Sequence, residues 1–351
     1  MAQVANVIVY VPMYSPYPYR IAWRPPPPVN VRSASRGAIL DAMEYEFPTS
    51  KHRLADRTGL GDTTVRRACR QLSRERVMAL KYGKDPDSGI AADLVTFARY
   101  PVLPILEITR AYMVWRLMDT RGGSVFATVR DRGGFCTPED DLITLMGQAR
   151  TIIKAGTCGL PADVPLQPPV LILPAREASM AGLVGRVVDA KPFCVLTPEA
   201  ASAHELRFFA ATHNAASVLY IRAGENCTVS LLQRANMDDL QSPFRPSPWT
   251  SGLSACLEEA SIDLRPHTHA WWKAIAAFLT DCCRILTPEA ILVESDKVLP
   301  DPRLLRNAIP SSIRFIHRTY ALNTPSLAHQ GAMRLTRRAL WDSMESESPD
   351  G

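Results

Sequence analysis

The stretch over residues 50–72, SKHRLADRTGLGDTTVRRACRQL, limits what this chain can fold into more than any other. Apolar side chains recur at helical spacing on both sides of a glycine. Leu54 and Ala55 precede it, Gly59 and Leu60 form the turn, and Val65, Cys69 and Leu72 come after. Intervals of three and four residues put side chains on one helical face, so two short helices are expected. The second helix carries Thr63, Thr64, Arg66, Arg67 and Arg70 on faces its apolar stripe leaves over. This is the layout of a helix-turn-helix: the stripe sets the angle between the helices and frees a basic, hydroxyl-bearing surface for a DNA major groove.

The flanking sequence extends this motif. A helix is expected over 34–45, with Ile39, Leu40 and Met43 on one face, and Thr49 or Ser50 caps the next helix. Two runs rich in strand formers, 77–83 and 90–98, flank KDPDSG, which predicts a β-hairpin. Three helices and a hairpin make a winged helix. Between Lys51 and Lys84 the basic residues Lys51, Arg53, Arg57, Arg66, Arg67, Arg70, Arg74, Arg76, Lys81 and Lys84 face only Asp56, Asp62 and Glu75. A local excess of this kind is the footprint of a phosphate-binding surface. Thr63, Thr64, Arg66 and Arg67 are the candidates for base edges; Lys51, Arg53, Arg70 and Lys84 are the candidates for phosphates. The plainer reading of the same residues is a solvated basic helix pair.

Composition narrows the class without choosing a function. With 46% hydrophobic and 21% charged residues and a net charge of +5, the 351 residues suit two or three ordinary folded domains. The apolar start, VANVIVYVPMYSPYPY, is broken by Pro12, Pro16 and Pro18 and lacks a basic leader, so neither a membrane span nor a secretion signal is expected. Eight scattered cysteines without a C-x-x-C pair read as reduced thiols, which places the chain in the cytoplasm. Pro25 to Pro28 mark residues 1–32 as an arm or linker.

Beyond residue 100 the pattern changes. Residues 105–119, then Gly122-Gly123, then 124–130 read as a strand, a turn and a second strand. Helices are expected over 138–155, 199–212, 251–259, 269–286 and 326–344, with strands at 170–174, 193–196, 217–223, 227–233, 290–294 and 315–317. Strand pairs alternating with helices in two halves point to an α/β body of two related lobes.

Four segments in this order resemble the ROK family, which groups bacterial repressors with sugar kinases. ILEITRAYMVWRLMDTRGGSV resembles the first phosphate-loop hairpin, and VLTPEAASAHELRF the strand and helix after the catalytic aspartate. VLYIRAGENCTVSLLQ resembles the second phosphate-loop hairpin, and SLAHQGAMRLTRRALWDSM the C-terminal helix. The likeness covers roughly residues 33–345. It implies an α/β fold with an N-terminal winged helix and a two-lobed actin/hexokinase-like (ribonuclease H-like) body. It divides the chain into the arm (1–32), the winged helix-turn-helix (33–100), lobe 1 (101–200, completed by 325–345) and lobe 2 (201–324).

Departures from the family pattern bear on activity. Glu107, Thr109, Arg110 and Ala111 stand where the family's aspartate, glycines and threonine close on phosphate. Thr197 stands at the matched position of the catalytic aspartate, and a hydroxyl is no carboxylate base. Gly224 is kept but Glu225-Asn226-Cys227 come after it, and Glu294-Ser295 replace a glycine pair. In WTSGLSACLEE, Trp249 and Ser251 replace two zinc cysteines while Gly252, Cys256, Leu257 and Glu258 remain. One thiolate is not a tetrahedral zinc site. The resemblance thus implies no catalytic residues, no cofactor and no metal.

Motif and resemblance together indicate a transcriptional regulator binding a palindromic double-stranded operator. Its kinase-like body would form a homodimer or homotetramer and sense a small-molecule effector, with no membrane involved. The alternative is an active ROK-type sugar kinase fused to a DNA-binding domain, which would need Glu107 or Glu199 as its base; a third is a purely structural body. Elsewhere, His267, His269, Cys282 and Cys283 lack a recognisable ligand geometry, and Trp271-Trp272 read as helix packing. His204 and Glu205 read as structural in preference to lining an interlobe cleft, and Asp296-Lys297 as a turn pair.

Overall fold

A computed structural model describes residues 31–346, apart from 46–47, 75–76, 86–88, 99–101, 110–111, 133–136, 156–168, 175–176, 178, 189–193, 225–226, 235–243, 248–249, 262–263, 265, 298–300 and 322–323. Most of the expected N-terminal arm therefore lies outside the described residues. The module after the arm is built as its apolar spacing dictates. Helices α1 (Val31–Tyr45), α2 (Lys51–Thr58) and α3 (Asp62–Arg74) stand with a small sheet of β1 (Thr49–Ser50), β2 (Met78–Lys84) and β3 (Ala91–Phe97), in the order β1-β3-β2. Ser50 caps α2, its side chain accepting from the Arg53 N–H at 3.3 Å. Gly59 ends that helix at φ 66°, a conformation a Cβ disfavours. Ile39, Leu40, Met43, Leu54, Val65, Cys69, Leu72, Val95 and Phe97 form a core of their own that, among the described residues, takes in none after Phe97.

The rest of the chain makes two five-stranded sheets. The first holds β4 (Leu103–Ile108), β5 (Tyr112–Met118), β6 (Ser124–Asp131), β7 (Val170–Ile172) and β8 (Cys194–Leu196) in the order β6-β5-β4-β7-β8. The second holds β9 (Ser217–Ala223), β10 (Thr228–Arg234), β11 (Phe244–Pro246), β12 (Ala290–Ser295) and β13 (Arg314–Thr319) in the order β11-β10-β9-β12-β13. Each is an antiparallel meander of three strands extended by two parallel ones, so one topology occurs twice.

The stretch 105–119 differs from expectation: it is two strands, not one. The chain reverses between Thr109 and Tyr112, where the Thr109 hydroxyl accepts from the Tyr112 N–H at 3.1 Å and reaches the Tyr112 carbonyl at 3.0 Å. A threonine side chain here closes a turn usually signalled by glycine or proline, which hid the reversal. Four further elements were also not anticipated: β1, β11, α5 (Met180–Val188) and α9 (Pro302–Asn307). Gly182 and Gly185 weaken the helical signal of α5.

Both sheets are covered on both faces. The outer face of the first carries α4 (Pro138–Lys154) and α5, through Leu142, Leu145, Ala149 and Val184. The outer face of the second carries α7 (Thr250–Ser261), α8 (His269–Leu286) and α9, around the buried pair Trp271 and Trp272. Between the sheets lie α6 (Pro198–Thr212) and α10 (Leu327–Ser346). Leu206 and Ala210 of α6 pack on β9 and β12 of the second sheet, while Ala328, Ala332 and Met333 of α10 pack on β4 and β7 of the first. Among the described residues no helix is long and apolar enough to cross a membrane.

The two inner helices meet at Gly331. A Cβ built there would stand 1.9 Å from the Ala201 carbonyl oxygen, so only glycine allows this approach. Gly331→Ala should therefore force the helices apart and destabilise the protein by about 3 kcal/mol, read as a lower midpoint in urea unfolding. Gly252→Ala, at a helical glycine with open space around it, should be tolerated in the same assay.

Candidate nucleic-acid interface and interlobe cluster

Helix α3 divides its residues by face. Val65, Cys69 and Leu72 are buried; Thr63, Thr64, Arg66, Arg67 and Arg70 are exposed. Arg66 lies 3.8 Å from Asp62 one turn earlier, with both side chains more than half exposed, a pairing worth little in water. Lys84 is exposed at the end of β2, and the same hairpin exposes Leu80, Tyr82, Lys81 and Ile90. Two candidates sit differently from the rest. Lys51 is half-buried and pairs with Asp93 at 3.4 Å, and Arg53 is half-buried on α2. The fold thus gathers the two threonines and three arginines on one helix face, puts Lys84 on the hairpin, and engages Lys51 internally.

A second polar centre lies between the sheets. On β4, Leu103, Ile105 and Glu107 share the inner face; on β9, Val218, Tyr220 and Arg222 do. Glu107 and Arg222 meet there as an ion pair, 1% and 4% exposed. Arg222 Nε also donates to the Tyr320 hydroxyl at 3.3 Å, and the guanidinium lies 5.0 Å from that ring's centre. Arg116, on β5, donates to the Ser124 hydroxyl at 2.8 Å and to the Ala321 carbonyl at 3.1 Å. His329 of α10 places Nε2 3.4 Å from Glu107, while its Nδ1 lies 2.7 Å from the Ser326 hydroxyl.

Burial and charge set the protonation of this cluster. Burial, the largest single effect, would raise the Glu107 carboxyl, but the charge and hydrogen bond of Arg222 together with the other basic groups around it hold the group below its ordinary value. Burial pushes the His329 imidazole down to about 3 despite Glu107, so it is neutral at physiological pH. Burial likewise lifts the Tyr320 phenol to about 12, keeping its proton. Beside them, Glu294 on the inner face of β12 accepts from the Tyr220 hydroxyl at 2.7 Å and the Leu327 N–H at 3.0 Å, and it forms an ion pair with Arg318 at 3.2 Å. Its carboxyl is nonetheless raised, because burial dominates.

The positions singled out by the family resemblance are placed as follows among the described residues. Thr197 caps α6, its hydroxyl accepting from the Ala200 N–H at 3.2 Å. Burial raises the carboxyl of Glu199, two residues on. A Cβ on Gly224 would stand 3.2 Å from the Tyr320 hydroxyl, a tight fit. Cys256 is exposed on α7; Arg110, Ala111, Glu225, Asn226 and Trp249 lie outside the described residues. His267 packs 5.1 Å from the Trp271 ring and lies 3.0 Å from Asp296, so Asp296 is more than a turn residue. Cys282 and Cys283 belong to the core around α8.

Sequence reasoning missed Arg116, Arg222 and His329, although a signal existed. YMVWRLM and SVLYIRA each carry one arginine inside an otherwise apolar strand, and a charge there requires a partner.

No protein-family model matches the sequence, and no curated protein matches it. Among solved structures, a ROK family transcriptional regulator described as a homolog of the E. coli MLC protein is similar, with a TM-score of 0.51 and 12% identity. That match covers 90% of this chain and 98% of the other. A ROK family glucokinase from Streptomyces griseus, solved with glucose and AMPPNP, gives a TM-score of 0.42 at 13% identity over 68% of this chain and all of the other. A ROK hexokinase from Thermus thermophilus gives 0.40 at 13% identity, over 67% of this chain and 98% of that one. The likeness to the regulator shows the fold, an α/β actin/hexokinase-like architecture similar to that of ROK proteins.

Replacing Glu107 by Gln would leave the Arg222 charge buried without its counter-ion, a loss of about 3–5 kcal/mol in urea unfolding at neutral pH. The pH dependence comes from the depressed carboxyl. Its contribution is complete above the ordinary value of 4.5 and is lost as the pH falls through the lower folded value. The gap between wild type and Glu107→Gln should thus close in acid.

Proposed function

We propose that this chain is a DNA-binding transcriptional regulator whose kinase-like body serves self-association and ligand sensing instead of phosphoryl transfer. The division of α3 into a buried apolar face and an exposed face of Thr63, Thr64, Arg66, Arg67 and Arg70 carries this reading. The helix has a core of its own behind it and no apolar need for the basic side. In this reading α2 and α3 are a helix-turn-helix, the β2–β3 hairpin is the wing, and α3 enters the major groove. Arg66 and Arg67 read guanine, each good bidentate contact being worth about 1–3 kcal/mol of discrimination. Arg53, Arg70 and Lys84 hold phosphates, and Lys51 joins them on leaving Asp93. A dimer or tetramer presents two such modules to a palindrome, in the cytoplasm, without cofactor or metal. The likeness of fold to a ROK regulator supports the same assignment.

The interlobe cluster supports the second half of the proposal. Glu107, one of two carboxylates a kinase reading would need as base, is committed to Arg222 and held in its charged, weakly basic form. Glu199 favours the other reading, because burial raises its carboxyl toward the range useful for proton transfer.

Arg66→Ala combined with Arg67→Ala should abolish sequence-specific gel shifts and leave the size-exclusion profile unchanged; specific binding by this double variant would overturn the role given to α3. In a coupled assay across a panel of hexoses, the wild type should show no sugar-dependent ATP turnover. Turnover that disappears in Glu199→Gln would instead establish the kinase.

A further inference from the structure

Among the described residues the apolar core of the N-terminal module and those of the body share no member. The contact is made of charges and rings. Glu44, near the end of α1, receives two arginines from α10. Arg334 Nη1 lies 2.7 Å from its carboxylate and 2.8 Å from its backbone carbonyl. Arg337 donates through Nε at 2.9 Å and also through Nη2. Arg334 turns its other edge to Glu205 of α6, with Nε at 2.5 Å and Nη2 at 3.3 Å. Two carboxylates thus balance two guanidiniums.

Aromatic faces and the connecting chain complete the contact. The Arg337 guanidinium lies 3.9 Å from the centre of the Phe97 ring, and that of Arg334 lies 4.1 Å from the Phe208 ring. Arg337 Nη1 also donates to the Thr120 carbonyl, in the turn between β5 and β6. From the same turn, the Thr120 hydroxyl donates to the Ala98 carbonyl, and Arg121 Nε to the Phe97 carbonyl at 2.8 Å. The module is therefore anchored on α1, on the Phe97 ring and on the strand leaving it.

Such contacts differ from apolar packing in one respect. A greasy interface tolerates sliding, whereas forked guanidinium–carboxylate pairs fix direction as well as distance. Arg337 is fully buried, and burial brings its guanidinium down to about 10, which still leaves it charged at neutral pH. A buried charge of this kind resists separation from its partner. Anchors on separate elements leave the module little freedom to pivot.

We propose that the cluster of Glu44 with Arg334 and Arg337 is a positioning device that locks the DNA-facing module onto the body and thereby sets the one half-site spacing the assembled protein accepts. The inference rests on the DNA-binding reading above. Two modules held rigidly by a dimeric body read half-sites only at a matching distance and helical phase. Modules on free tethers accept several spacings. Releasing the lock also lowers the fraction of molecules in the competent orientation; if that fraction falls to about a tenth, the apparent affinity for the correctly spaced duplex falls about tenfold.

The test uses the full chain in two assays, with Glu44→Gln as the unlocking variant and Glu205→Gln as the control that breaks only the α6–α10 half. In scanning calorimetry, wild type and Glu205→Gln should unfold in one transition and Glu44→Gln in two, the module melting first. In selection from random duplexes, the wild type should return paired half-sites at one spacing. Glu44→Gln should return the same half-site at several spacings, including ones shifted by about five base pairs, roughly half a helical turn. Should Glu44→Gln fail to fold, Arg334→Met, at a partly exposed position, replaces it. A single unsplit transition together with an unchanged spacing would overturn the proposal, as would equal broadening by Glu205→Gln. A wild type that selects no sequence overturns the DNA-binding reading and this inference with it, whereas calorimetry still reports whether the lock exists.

Discussion

Two sheets that each present an inner apolar face must share whatever covers them, and the whole body depends on how α6 and α10 do this. Helix α6 comes after the first sheet in sequence yet packs on the second; α10 comes after the second and packs on the first. Each lobe thus completes the other. The exchange requires the helices to cross at backbone contact, which Gly331 against Ala201 provides. Once that distance is set, the inner ends of β4 and β9 face one another, and Glu107 and Arg222 occupy matching places in the repeated topology. The free turns of α10 then carry Arg334 and Arg337 to the N-terminal module.

The two polar centres differ in their energetics. Glu107 and Arg222 lie fully inside, where attraction must offset the loss of hydration of both ions, so the pair adds less stability than its closeness suggests. Its effect is on shape: a lobe cannot swing away without stranding a charge. The cluster around Glu44 keeps some access to water and adds flat rings beneath its guanidiniums, an arrangement that favours arginine over lysine at both positions.

Much of this fold is legible in the sequence because its signals are local. SVLYIRA maps onto β9, HAWWKAIAAFLTDCCRIL onto α8, and the stripe of Leu54, Val65, Cys69 and Leu72 onto the core of the module. The turn at Thr109 escaped because a hydroxyl replaced the usual turn residue. α5 escaped because its glycines dilute a helical pattern that tertiary packing of Met180, Ala181 and Val184 restores. The exposed residues of α3 could be named in advance, since a helix one-third apolar leaves only one face to bury. Glu44 and its arginines could not, because nothing in a local window pairs residues 290 and 293 positions apart.

That separation has a consequence for how the molecule is made. The described core of the N-terminal module ends at residue 97, so the module can fold once that length leaves the ribosome. Its seat cannot form then. Arg334 and Arg337 are translated only after both sheets, and closing so long a loop is entropically costly until the sheets have already brought α10 into place. During synthesis the nascent chain therefore carries a folded head on an unfinished trunk, and the head acquires a fixed bearing only when α10 docks.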